Sequence, residues 1–301
     1  MTEMRRTTRQ FIVDDTADGT VQLVIEADAF GDPANPPVVL VHGGGQTRHS
    51  WGGTATILAE AGWYTITYDQ RGHGDSDRSP GGNYDVGRFA ADLLDICTAL
   101  GRRPVVVGAS LGGLAAMLVE GTLAPGSLAA VVLVDITPRQ EAAGVSRIVD
   151  FMTDRASHGF ATLAEAADAI AAYQPHRERP TDHDGLRKNL RHDPDGRWRW
   201  HWDPALFNHE SGLRSAQEPG RFIEAAGALH LPTLLVRGKL SDLVSETTAR
   251  EFLEIVPHAS FVDVSDAGHM VAGDRNDRFT EAVVQFLAGL EQPGARRPGT
   301  T

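Results

Sequence analysis

Ser110 lies within Gly108-Ala109-Ser110-Leu111-Gly112-Gly113, directly after the apolar run Val105-Val106-Val107 and directly before Leu114-Ala115-Ala116-Met117-Leu118. The pattern reads as strand, sharp turn and helix. A serine at such a corner takes a strained backbone conformation, and glycine two positions to either side removes side chains that would collide as the helix folds back on the strand. Its hydroxyl is pushed into the open. The Leu111 N–H lies at the helix N-terminus, where unpaired amides and the helix dipole favour negative charge. These are the needs of a nucleophile that attacks a carbonyl. Such a serine requires a base within hydrogen-bond reach, and the base requires a carboxylate to fix its tautomer. His269, in Gly268-His269-Met270, and Asp242, in Ser241-Asp242-Leu243-Val244, supply that set in the chain order serine, acid, histidine. Asp135, which follows Val131–Val134, is the alternative acid.

The elements that must position these residues alternate along the chain. Val38–Val41 is a short continuous apolar run with the character of a strand buried on both faces, and Tyr64–Tyr68, Val105–Val107, Val131–Val134, Thr233–Val236 and Phe261–Val264 are further candidate strands. Between them, Thr54–Ala61, Val86–Leu100 (Phe89, Leu93, Ile96, Leu100) and Phe279–Leu290 carry helical spacing, with Gly62 and Gly101 as stops. Ahead of these, Thr20–Ala27 alternates as a first strand or hairpin after a polar start expected to fray. Strands alternating with helices predict a mostly parallel α/β sheet, doubly wound, and sites in such sheets form beyond the carboxyl ends of the strands. Ser110, Asp135, Asp242, His269, Asp69 and the turn His42-Gly43-Gly44-Gly45 all stand there.

The stretch from Asp135 to Thr233 holds far more chain than one crossover needs. It predicts a helical cap over 140–221, inserted between core strands 6 and 7, with the core formed by 20–139 and 222–291 and a flexible tail at 292–301. Within the cap, Trp198, Trp200 and Trp202 alternate with Arg197, Arg199 and His201, which puts three indoles on one side of an extended segment. They either anchor the cap or, with Met270, line a substrate pocket.

Composition narrows the function. The formal charge is −12, with no concentration of Lys and Arg, which argues against a nucleic-acid partner. The single cysteine, Cys97, permits no disulfide within the chain. No stretch approaches the roughly 20 apolar residues of a membrane span, and no secretory leader is recognisable behind Met1, so a cytoplasmic protein is the expectation. The acid-rich stretches Asp182-His183-Asp184 and His192-Asp193-Pro194-Asp195-Gly196 have the composition of polar turns rather than of a metal site.

With His42-Gly43-Gly44-Gly45, Asp69-x-x-Gly72-His73-Gly74-x-Ser76, Gly108-x-Ser110-x-Gly112-Gly113, Ser241-Asp242-x-Val244 and Gly268-His269 in this order, the sequence resembles the α/β-hydrolase superfamily from about Val21 to Leu290. The resemblance implies that Ser110 is the nucleophile, His269 the general base and Asp242 the orienting acid. Some members carry the acid at the position of Asp135. The N–H groups of Gly44 and Leu111 would form the oxyanion hole, and His42, Asp69 and His73 would hold loops. A serine at the elbow sets this chain apart from the epoxide hydrolases and haloalkane dehalogenases, which attack with aspartate. The implied reaction is hydrolysis of a small apolar or aromatic carboxylic ester through an acyl-serine, without metal or organic cofactor. Cofactor-free perhydrolysis and carbon–carbon bond hydrolysis use the same triad, and a ligand-binding receptor that retains the fold is the alternative of another class.

Overall fold

A computed structural model describes residues 6–16, 19–173, 183–207, 219–265, 267–269 and 276–290. The core strands are β1 (Arg6–Asp14), β2 (Gln22–Phe30), β3 (Pro37–Val41), β4 (Tyr64–Tyr68), β5 (Val105–Ala109) and β6 (Ala130–Val134). After two further short strands, β7 (Leu190–His192) and β8 (Trp198–Trp200), the core resumes with β9 (Thr233–Gly238) and β10 (Ser260–Val264). The eight core strands stand in the order β1-β2-β4-β3-β5-β6-β9-β10. Pairing is antiparallel at β1–β2 and β2–β4 and parallel from β4 to β10. The strand order reverses between β3 and β5, so the turns after these two strands diverge around one crevice.

The continuous apolar runs are explained by burial on both faces. Val39, Val41, Val106, Val131, Leu133 and Leu235 face one core, with Phe89, Leu93 and Ile96 of α2 (Val86–Ala99) and the whole of α3 (Leu111–Leu118). Val38, Leu40, Val105, Val107, Val132, Val134, Leu234 and Val236 face the other, against α1 (Gly52–Glu60) and, at the end of the chain, α8 (Asn276–Gly289) with Phe279, Val283 and Leu287. A run that alternated polar and apolar residues would leave one of these layers unburied.

The polar start, expected to fray, forms β1. Phe11 and Val13 are buried on one side of it, and the Arg6 guanidinium pairs with buried Asp28 at 2.8 Å. The surrounding polar residues hid a two-residue alternation that suffices for an edge strand.

Between β6 and β9 the chain carries α4 (Ala142–Thr153), α5 (Leu163–Tyr173), the antiparallel hairpin β7–β8 and α6 (Pro219–Gly227). The insertion is therefore not purely helical: Leu190 pairs with Trp200 and His192 with Trp198. α6 packs on α3 and on α7 (Glu246–Ile255). Met270 and the 292–301 tail lie outside the described residues. No described helix is long and apolar enough to cross a membrane.

Candidate active site

The turn between β5 and α3 has the geometry that its glycines imply. Ser110 adopts φ 48° and ψ −115°, a strained conformation for a residue with a side chain. It is tolerated because its neighbours over-determine it: the Ser110 N–H donates to Val134 O at 3.1 Å, and Ser110 O accepts from Gly113 and Leu114. A Cβ on Gly112 would stand 2.7 Å from both the carbonyl oxygen and a methyl of Val41, so the helix can start this close to β3 only with glycine there.

His269 comes from the loop after β10. Its Nε2 lies 3.2 Å from Ser110 Oγ and its Nδ1 lies 2.7 Å from Asp135 Oδ2. A carboxylate accepts, so the imidazole proton sits on Nδ1 and Nε2 is left to accept from the serine hydroxyl. Asp135 immediately follows β6, is fully buried, and takes φ 48°. Its Oδ1 accepts from Gly238 N–H at 3.0 Å, and its Oδ2 accepts from Ser241 Oγ–H at 2.6 Å as well as from His269. The ends of β6 and β9 thus grip one carboxylate from two sides.

This corrects the expectation for Asp242. The carboxylate bonded to His269 is Asp135, whereas Asp242 pairs with Arg147 of α4 at 2.7 Å, where both side chains are partly exposed. The backbone explains the difference. A Cβ on Gly144 would stand 2.2 Å from Asp242 O, and Glu141 N–H donates to Leu243 O, so the Asp242 loop is the seat on which α4 rests. Ser241, one residue earlier, is the side chain of this loop that faces the site.

The glycine-rich turn after β3 comes down beside the serine, where a Cβ on Gly43 would lie 3.3 Å from Ser110 Cβ. Two of its amides are engaged by side chains: Gly43 N–H donates to Gln46 Oε1 at 2.9 Å and Gly45 N–H to His73 Nε2 at 3.1 Å. The Gly44 N–H between them has no acceptor among the described residues, and neither has the Leu111 N–H.

A sequence model of the α/β-hydrolase fold matches residues 36–275, which span every part of this arrangement. The chain belongs to the α/β-hydrolase fold family. It is 28% identical over 276 residues to an esterase of Mycobacterium tuberculosis, covering 88% of this chain and 86% of that protein. It is 30% identical over 228 residues to the 2-(acetamidomethylene)succinate hydrolase of Mesorhizobium japonicum, covering 74% and 78%. Among solved structures, an α/β hydrolase from Novosphingobium aromaticivorans superposes with a TM-score of 0.77 at 25% identity, covering 94% of this chain and 98% of that one. The protein is a hydrolase of this fold.

In this α/β hydrolase, His42, Asp69 and His73 hold loops. His42 Nδ1–H donates to Gly43 O at 2.8 Å, and its Nε2 accepts from Gln70 N–H at 3.0 Å. Asp69 accepts from the Arg48 and Asp75 backbone amides and pairs with the Arg48 guanidinium. Burial lowers both histidines, His42 to about 4 and His73 to about 3, so both imidazoles are neutral at pH 7. Asp193 and Asp195 are ion-paired with Arg199, which accounts for their place in a polar turn.

Trp198 meets the His192 ring at 4.5 Å, tilted by 40°, and lies under the Arg187 guanidinium. Trp200 and Trp202 are buried and stacked at 4.8 Å, and Trp200 also meets Phe151 and Phe160. Trp202 reaches the glycine-rich turn, since a Cβ on Gly45 would stand 3.2 Å from its ring and 2.7 Å from Met152 Cε. Met152 carried no sequence signal of its own. Only the helical spacing of α4 places it on the face turned to the core.

Proposed function

We propose that this hydrolase is a serine esterase that cleaves small apolar or aromatic carboxylic esters through an acyl-serine. The observation that carries the reading is the continuous hydrogen-bonded line Asp135–His269–Ser110 on a strained elbow. Ser110 Oγ attacks the ester carbonyl as His269 Nε2 takes its proton, and Asp135 holds the imidazole and stabilises the imidazolium. The oxyanion is received by Leu111 N–H and Gly44 N–H, two amides without an acceptor among the described residues. His269 returns the proton to the leaving alcohol, and water repeats the sequence on the acyl-enzyme. The bacterial relative named an esterase supports the ester as substrate. Met152 and Trp202, which overhang Gly45, support an apolar acyl or alcohol part.

The test is steady-state hydrolysis of p-nitrophenyl esters of increasing chain length, with Ser110→Ala beside the wild type. Turnover that disappears in the variant and shows a length optimum is the expected result. A wild type no faster than Ser110→Ala on every ester overturns the proposal.

A further inference from the structure

α4 crosses the mouth of the site. Near its start, Gly144 packs so closely on the loop after β9 that a Cβ there would stand 2.2 Å from Asp242 O. Eight residues on, or about 12 Å along the axis, Met152 is buried against the glycine-rich turn, with its Cε 2.7 Å from the place of a Cβ on Gly45. Gly144, Ile148 and Met152 recur at four-residue intervals on one helix face. Ile148, half-buried and packed on the core, stands between the two anchors. In the sheet, β3 and β9 flank β5 and β6. The helix therefore runs over the Ser110 elbow from the acid side to the oxyanion side.

These two sides are not equivalent for an ester. His269 Nε2 gives its proton to the leaving oxygen, so the alcohol lies on the His269 side of the tetrahedral carbon and the acyl chain points away from it. His269 comes from the loop after β10, on one side of β5, and the glycine-rich turn follows β3 on the other. The acyl chain is thereby directed to the turn that Met152 and Trp202 cover. Trp202 meets Gly45 through Cζ3, on the ring edge opposite the indole N–H, so the surface it offers is apolar. The ring is held in place by its 4.8 Å stack on Trp200. This wall stands one residue beyond the Gly44 N–H, a Cα step of about 3.8 Å, which leaves room for a few acyl carbons.

We propose that Met152 and Trp202 are specificity-determining residues that close the acyl side of the site, so that the substrates are esters of short-chain acids, with length selected on the acyl half and not on the alcohol half. The inference rests on the reading of this site as an esterase and of Gly44 as an oxyanion donor. It decides which half of the ester meets the apolar wall. Met152 is the better probe of the two, because an unbranched side chain can be shortened or replaced by a larger one with little demand on its neighbours.

The test varies the two halves separately. p-Nitrophenyl acetate, butyrate and octanoate change the acyl half, and ethyl and hexyl acetate change the alcohol half. In the wild type kcat/KM should fall about 10-fold or more from butyrate to octanoate, the scale on which an apolar pocket discriminates by length. Met152→Ala and Trp202→Ala should each raise the octanoate-to-butyrate ratio about 10-fold, and Met152→Phe should lower the butyrate-to-acetate ratio by a similar factor. The hexyl-to-ethyl ratio should stay within about 2-fold in all three. Each ratio is internal to one preparation, so partial unfolding does not mimic the effect, and the two Met152 variants carry the test if Trp202→Ala fails to fold. An acyl ratio that does not move in Met152→Ala, or an alcohol ratio that moves in its place, overturns the proposal. If the wild type turns over no ester, the esterase reading fails by itself. Binding of alkyl trifluoromethyl ketones, whose chain takes the acyl place, then decides the wall by fluorine NMR: a short-chain preference lost in Met152→Ala upholds it, and an unchanged preference overturns it.

Discussion

The acid assignment can be tested by replacing two carboxylates singly, Asp135→Asn and Asp242→Asn. Asp135 is fully buried and accepts from His269 Nδ1 at 2.7 Å. An asparagine there keeps the shape and removes the charge. Its carbonyl oxygen can satisfy Gly238 N–H, which turns the amide NH2 toward His269 and forces the imidazole proton onto Nε2. In that tautomer Nε2 cannot accept from Ser110. The imidazolium that forms during attack also loses its buried counter-charge. Loss of the acid from such a triad costs about 10³- to 10⁴-fold in kcat, or about 4–5.5 kcal/mol at 1.36 kcal/mol per decade. Asp242 forms a pair with Arg147 in which both side chains are partly exposed. Such pairs contribute at most about 1 kcal/mol, so Asp242→Asn should keep kcat within about 3-fold. The assay is p-nitrophenyl butyrate hydrolysis normalised to fluorophosphonate-titrated sites, so that misfolded protein does not count as slow enzyme. Full loss in Asp242→Asn beside near-normal Asp135→Asn would refute the reasoning and return the role to Asp242.

Acid should weaken the fold before it reaches ordinary carboxylates. His42 and His73 are buried with pKa lowered by desolvation to about 4 and about 3, and burial also lowers His201 well below its usual value. The unfolded chain takes up these protons first, so stability present at pH 7.5 is lost as pH falls through about 6.5, by about 1.4 kcal/mol per histidine at pH 5.5. Asp92 opposes this. Burial raises it to about 6 against the pull of Arg71, so its earlier protonation in the folded state returns about 1 kcal/mol over the same interval. Urea melts at pH 7.5, 6.5 and 5.5 should show a net loss of about 3 kcal/mol by pH 5.5, and a flat profile would contradict neutral burial of the three rings. Gly112→Ala should lower the melting temperature by several degrees and the titratable fraction of Ser110 with it, because overpacking against Val41 costs about 1–3 kcal/mol; a melt within about 1 °C of wild type would show that α3 can move away from β3 freely.

The sequence by itself determined the sheet, the elbow and two members of the site. Val105–Val107 running into Gly-x-Ser-x-Gly has few other local solutions, because burial on both faces and a tight strand-to-helix turn constrain residue types one by one. His269, read from its place after the last core strand, lies 3.2 Å from Ser110 Oγ. The acid was different. Asp135 and Asp242 both follow core strands, and local chemistry does not say which loop turns inward. That was decided by the packing of α4 on the Asp242 carbonyl and by Ser241 and Gly238 converging on Asp135, contacts between residues about a hundred positions apart. β1 was obscured for a related reason, since two buried side chains among charged ones count as a strand only once β2 lies beside them. The meeting of two buried histidines beside the glycine-rich turn carries no local signature either. His73 and His201 are far apart in the chain, and only the docking of the insertion on the core brings their rings to 6.0 Å and His201 onto the Gly74 amide. Periodicity and turn chemistry are properties of neighbours in sequence, whereas the choice between equivalent carboxylates and the tautomer of a buried ring depend on what the fold packs against them.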